Sequence, residues 1–164
     1  MLRESQKNGK VLFIYFASDE SKWENLLEND KENFKRARVV INFDCEIASS
    51  DSEKLVQQIK SSDCIYIRGG EDYTLIKILE DLENFGGLIK GETVIGSSLG
   101  AYALSKYFYS NSKDCIQKGL GILPIKIFCH YENTKKKQFK ELKTYNGNLP
   151  VYTLPDTEFV VIEQ

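Results

Sequence analysis

The chain has 164 residues of ordinary globular composition, 41% hydrophobic and 28% charged, with a formal net charge of −2 at neutral pH. That length suits one substantial core rather than two, so a single domain over residues 1–164 is expected. The near-neutral charge leaves no electrostatic footprint for nucleic acid or an anionic membrane surface, and with no bilayer-spanning apolar run and no signal-peptide core behind Met1-Leu2-Arg3 the expected compartment is the cytoplasm.

The continuous apolar run from Val11 to Ala17 predicts a buried strand, and Trp23, Leu26, Leu27 and Phe34 follow it at helical spacing. Val39 to Phe43 predicts a second strand. Ser50 and Glu53 stand in capping-box spacing ahead of Leu55, Val56 and Ile59, which predicts a second helix start. The third strand, Cys64 to Arg68, runs into Gly69-Gly70 and then into a helix with Leu75, Ile76, Leu79 and Leu82 on one face. Thr93 to Ile95 predicts a fourth strand, and the helix beyond Gly100 carries Tyr102, Ala103 and Tyr107. After a polar loop, Ile122 to Cys129 predicts a strand ending at His130, Phe139 and Leu142 mark a basic helix, and Val151 to Leu154 and Phe159 to Ile162 predict short closing strands.

Strands and helices that take turns imply an α/β fold, with right-handed crossovers and a mostly parallel sheet covered by helices on both faces. Ligands in such folds bind at the carboxyl ends of the strands, where Gly69-Gly70, Ser98 and His130 all fall. Cys45, Cys64, Cys115 and Cys129 are scattered without a Cys-x-x-Cys pair, and they read as reduced core thiols rather than disulfides or metal ligands.

The pentapeptide Gly96-Ser97-Ser98-Leu99-Gly100 joins a predicted strand to a predicted helix, the setting in which a serine becomes a nucleophile. An abrupt strand-to-helix turn brings backbone segments too close for side chains on either side, and Gly96 and Gly100 supply the missing bulk. Ser98 is then held at the tip, and the Leu99 amide at the helix start points the same way, where it can stabilise an oxyanion. Ser97 points away from the tip and takes no chemical role. A serine hydroxyl is a poor nucleophile until an imidazole can take its proton, and His130 is the only histidine in the chain. Each residue alone has a plainer explanation, as a simple turn, a strand-end histidine or a solvated loop acid. Together and in this order they favour a site.

Ile65 to Tyr73, Val94 to Ala101, and Gly119 to Pro124 running on to His130-Tyr131 resemble the three signature regions of peptidase family S51, which includes dipeptidase E, an aspartyl dipeptidase, and cyanophycinase. The resemblance covers most of the chain from Val11 onward, including Phe16-Ala17 and Leu154-Pro155-Asp156. It implies a three-layer sandwich with a mostly parallel sheet, class I glutamine amidotransferase-like and flavodoxin-like, and a serine peptidase that cleaves a small peptide without metal or cofactor. Ser98 corresponds to the nucleophile, His130 to the general base, and the amides of Gly70 and Leu99 to the oxyanion-hole donors. For the acidic third member between serine and histidine, Asp114 is the nearest match. Glu132 is its rival, because His130-Tyr131-Glu132 has the His-x-Glu spacing of class I amidotransferases. A glutaminase is disfavoured, since that chemistry places a cysteine where this chain has Ser98.

Two departures from the family bear on function. Arg68-Gly69-Gly70-Glu71-Asp72 stands where dipeptidase E carries Gly-Gly-Gly-Asn-Thr, so Gly69, Glu71 and Asp72 are the expected substrate-facing residues. Two carboxylates there would repel an aspartyl side chain and favour a neutral or basic residue or a free ammonium group. Alternatively, Glu71 and Asp72 cap the following helix. The chain is also shorter than the family pattern at both ends, and a homodimer interface is one way to cover the edge or apolar surface this would leave. A noncatalytic ligand-binding member and a serine esterase or amidase are the alternative functions.

Overall fold

Alternation of side chains along the first strand sets the layering. Val11, Phe13 and Tyr15 face one side of β1 (Gly9–Ile14) and its continuation, Leu12, Ile14 and Phe16 face the other, and all six are buried. The computed structural model describes residues 9–36 and 43–163 of the chain. The first face is covered by α1 (Trp23–Arg36) through Trp23, Leu26, Leu27 and Phe34. The second is covered by α2 (Ser52–Lys60) and α3 (Thr74–Asp81), which bury Leu55, Ile59, Leu75 and Leu79 completely. Each such side chain contributes about 1.5–3 kcal/mol of burial. With β2 (Phe43–Ile47), β3 (Cys64–Ile67) and β4 (Thr93–Gly96), β1 forms an all-parallel sheet in the order β2-β1-β3-β4. A single helical turn, α4 (Phe85–Leu88), precedes β4.

A second sheet completes the fold, where the alternation predicted one. It consists of β5 (Ser105–Ser110), β6 (Cys115–Lys118), β7 (Leu123–Cys129) and β8 (Val151–Leu154) in the order β6-β5-β7-β8. All its pairs are parallel except the β5–β6 hairpin. The two sheets are joined through α5 (Leu99–Leu104), every residue of which is buried, and which packs against β4, β5 and β7. One continuous core runs from Leu12 and Ile67 in the first sheet to Phe108 and Ile127 in the second. On the opposite face of the second sheet, α6 (Lys136–Thr144) lays Phe139 and Leu142 over Tyr107, Tyr109 and Phe128. The result is the α/β three-layer arrangement with mostly parallel strands.

Several local expectations are corrected. The helix after Gly100 ends at Leu104, and Tyr107 lies in β5, because the Ser105 hydroxyl bonds the Tyr102 and Tyr107 carbonyls and the aromatic run Tyr107-Phe108-Tyr109 alternates between two buried faces. The loop expected before Ile122 contains β6. The cap of α2 is Asp51, whose carboxylate accepts the Lys54 amide at 2.8 Å, one residue beyond the expected Ser50. Of the strand expected over Val39 to Phe43, residues 39–42 lie outside the described residues, and β2 begins at Phe43. Phe159 to Ile162 forms no strand; Phe159 and Val161 are exposed while Ile162 packs against the core. All four cysteines are free thiols. Among the described residues no helix is long and apolar enough to cross a membrane.

Lys126 is a fully buried cation in β7, and its Nζ donates to the carbonyls of Lys143 at 3.0 Å and Gly147 at 2.9 Å. It ties the end of α6 to the sheet. Replacing it strands two carbonyls, so Lys126→Met is expected to lower unfolding stability by about 1–3 kcal/mol. Denaturant titration checks this against Lys118→Met, an exposed lysine on β6 whose replacement should leave the midpoint unchanged.

Candidate active site

The turn between β4 and α5 is locked by backbone contacts before any side chain is considered. Ser97 N–H donates to the Ile67 carbonyl at 3.0 Å, Gly100 N–H to Ser97 at 2.8 Å, and Tyr102 N–H to Ser98 at 3.0 Å. A Cβ on Gly100 would fall on the Ile67 carbonyl, so this helix residue must be glycine for α5 to approach β3. Ser98 is forced to φ 50° and ψ −113°, outside the regions favoured by L-residues. Such a conformation costs of order 1–3 kcal/mol and persists only when the surroundings over-determine it. The Gly69-Gly70 loop leans on the same turn: a Cβ at Gly69 would stand 2.6 Å from Ser98 Cβ and 2.9 Å from the Leu99 nitrogen. The loops carrying the Gly70 and Leu99 amides are therefore neighbours.

His130 follows β7 and also has a positive φ, 54°. Its Nε2 lies 3.0 Å from Ser98 Oγ, and its Nδ1 lies 2.5 Å from Asp156 Oδ1. An ionised carboxylate only accepts, so the proton of the neutral ring sits on Nδ1, leaving Nε2 as the acceptor for the serine hydroxyl. Asp156 arrives through strand register. Leu154 of β8 is opposite Cys129 of β7, Tyr131 N–H donates to the Leu154 carbonyl at 3.3 Å, and the residues just past each strand meet. Both His130 and Asp156 are largely exposed, so the arrangement opens to solvent.

The structure brings Ser98, His130 and Asp156 together; it does not bring Asp114 or Glu132 to the imidazole. Asp114 sits at the tip of the β5–β6 hairpin at φ 48°, where it accepts the Tyr109 hydroxyl at 2.8 Å. Burial of the phenol and that carboxylate push Tyr109 up to about 12. Glu132 accepts the Thr134 hydroxyl at 3.3 Å. Asp156 follows the histidine by 26 residues, beyond both the serine-to-histidine interval that holds Asp114 and the His-x-Glu spacing that points to Glu132. The only available signal was its place in Leu154-Pro155-Asp156 directly after an apolar strand pattern.

Of the expected substrate-facing acids, Asp72 is engaged as a cap. Its Oδ1 accepts the Thr74 amide at 2.9 Å where α3 begins, and that bond holds its carboxyl below the usual range. Glu71 is exposed beside it. Arg68, immediately before Gly69, is tethered to α1: its guanidinium bonds the buried Asp30, which also accepts the Tyr15 hydroxyl at 3.0 Å. Burial and the Asp30 carboxylate push the Tyr15 phenol far above its ordinary range. Sequence reading gave Asp30 no role, because a carboxylate on the apolar face of a helix resembles any other helix acid until its partner strand is placed.

A model of peptidase family S51 matches residues 1–164. Among solved structures, the 1.5 Å crystal structure of a protein from Listeria monocytogenes EGD-e, provisionally assigned as a peptidase E, is similar with a TM-score of 0.64 at 19% identity. The match covers 93% of this chain and 81% of that one, and speaks for a shared fold. No curated protein matches.

If Asp156 orients the imidazole, Asp156→Asn should slow fluorophosphonate labelling of Ser98 by up to roughly 10⁴-fold, the scale seen when a triad carboxylate is neutralised. Asp114→Asn and Glu132→Gln should label at the wild-type rate, as followed by gel fluorescence.

Proposed function

Because the chain belongs to peptidase family S51 over its whole length, we propose that it is a serine-type peptidase that cleaves a small peptide through an acyl-enzyme on Ser98. The observation that carries this reading is the chain of contacts from Ser98 Oγ to His130 Nε2 at 3.0 Å and from His130 Nδ1 to Asp156 at 2.5 Å. In the first half-reaction Ser98 Oγ attacks the scissile carbonyl and its proton passes to Nε2. Asp156 holds the tautomer and stabilises the imidazolium. The amides of Gly70 and Leu99 bind the oxyanion of the tetrahedral intermediate, a contribution typically worth about 2.7–4 kcal/mol per donor. The intermediate collapses as Nε2 returns the proton to the leaving amine. Water then repeats the sequence on the ester, with His130 again as base, and releases the acid and free Ser98.

Glu71 bears on the choice of peptide. Glu71 and Asp72 are both exposed on the loop beside the serine turn, and Glu71 is the one whose carboxylate does not also hold the Thr74 amide. A carboxylate there disfavours an aspartyl side chain in the substrate and favours a neutral or basic one.

Labelling by a fluorophosphonate should occur in the wild type and vanish in Ser98→Ala. Peptide hydrolysis should fall by several orders of magnitude in Ser98→Ala and in His130→Ala, with the double variant little worse than either, because residues acting as one unit are not additive. Additive losses would show that the two do not cooperate. In a dipeptide panel, Asp-X substrates should be poorer than those beginning with a neutral or basic residue, and Glu71→Gln should narrow the gap. Asp-X dipeptides emerging as the best substrates would refute the role given to Glu71.

A further inference from the structure

We infer that Tyr102, assisted by Asn111, is a positioning residue that clamps the backbone of Cys129 and thereby aims the imidazole of His130 at Ser98; this rests on reading Ser98 and His130 as a reacting pair. Inside a sheet a strand finds partners on both sides. The register of β7 with β5 ends at Ile127 opposite Phe108, while the other edge of β5 stays paired with β6 as far as Ser110. Cys129, the last residue of β7, keeps β8 on one flank only. On the flank where the pairing with β5 has ended, side chains replace the ladder. The Tyr102 hydroxyl accepts the Cys129 N–H at 3.1 Å and donates to the Cys129 carbonyl at 3.3 Å, and Asn111 Nδ2 donates to that carbonyl at 3.0 Å. A buried peptide left unpaired there would be costly, so these bonds hold the chain where it enters the left-handed conformation of His130.

Tyr102 is itself fixed from the other half of the site. Its backbone N–H donates to the Ser98 carbonyl at 3.0 Å, in the first turn of α5. Its ring stacks on Phe108 with centroids 4.3 Å apart and planes within 9°, and is buried. Burial keeps the phenol well above its ordinary range, so the hydroxyl remains protonated and can serve as donor and acceptor at once. One residue therefore touches the serine turn through its backbone and the histidine strand through its side chain. Neither Tyr102 nor Asn111 reaches the reacting atoms. Their action is geometric, and near a serine nucleophile small displacements matter: a shift of about 1 Å can cost on the order of 10²-fold in rate.

The test compares Tyr102→Phe, which keeps the ring and its stacking, with Tyr107→Phe, which removes another buried tyrosine hydroxyl, one bonded to Asn146 on the α6 side of the sheet. Two readouts are used: the rate of fluorophosphonate labelling, and the ring spectrum of the chain's single histidine, including the deshielded Nδ1 proton expected from its bond to Asp156. Tyr102→Phe should label about 10- to 100-fold more slowly and lose or broaden that proton signal, while Tyr107→Phe keeps both. Asn111→Ala, on the exposed hairpin where folding is not at stake, should show a smaller loss of the same kind. Unchanged labelling and an unchanged ring spectrum in Tyr102→Phe and Asn111→Ala would overturn the clamp, as would equal losses in Tyr102→Phe and Tyr107→Phe. If the wild type is not labelled at all, the hydrolase reading falls, and the histidine spectrum decides the clamp by the same comparison.

Discussion

The site depends on a place where no Cβ fits. Gly100 lies against the carbonyl of Ile67 at the end of β3, and Gly69 lies against Ser97 and Ser98. This double approach of bare backbone pins the serine turn to the neighbouring strand and holds Ser98 in a conformation it would not adopt freely. It also sets the Gly69-Gly70 loop beside the Leu99 amide. A methyl group at either glycine would separate the loops before it touched any substrate.

The second half of the site comes from another sheet. His130 and Asp156 are delivered by the parallel pairing of β7 and β8, in which Leu154 opposite Cys129 brings the residues past both strands into contact. The two sheets are held in relation by the buried helix α5 and a shared apolar core. Helix packing of this sort constrains distance less sharply than a hydrogen-bond ladder does. The bonds of Tyr102 to Cys129 and to Ser98 cross that seam, which gives a polar contact inside an apolar core a positional meaning.

Charge is distributed so that the acids near the site have separate duties. Asp30 is buried and neutralised by Arg68, which anchors the strand end ahead of Gly69. Asp72 is spent on the start of α3, and Asp114 on Tyr109 at the hairpin. Asp156, exposed to solvent, faces the imidazole. Four carboxylates that look alike as letters differ here because each has a different nearest donor.

Local rules were enough for the parts of the chain that are locally determined. The apolar runs at Val11 to Ala17 and Cys64 to Arg68 and the helical spacing of Leu75 and Leu79 foretold strands and a helix, and the order Gly-Ser-Ser-Leu-Gly after Thr93 to Ile95 singled out Ser98, because period and turn chemistry act over a few residues. His130 stood out as the only histidine. Beyond the pairing of Ser98 with His130, what the sequence left open was which distant segments meet. Tyr107 fits a helix or a strand by spacing, and only packing between the core and α6 assigns it to β5. The divided sheet, the Asp30 tether of Arg68 and the contact of Asp156 rather than Asp114 with the imidazole follow from strand order and register, which short-range patterns do not encode.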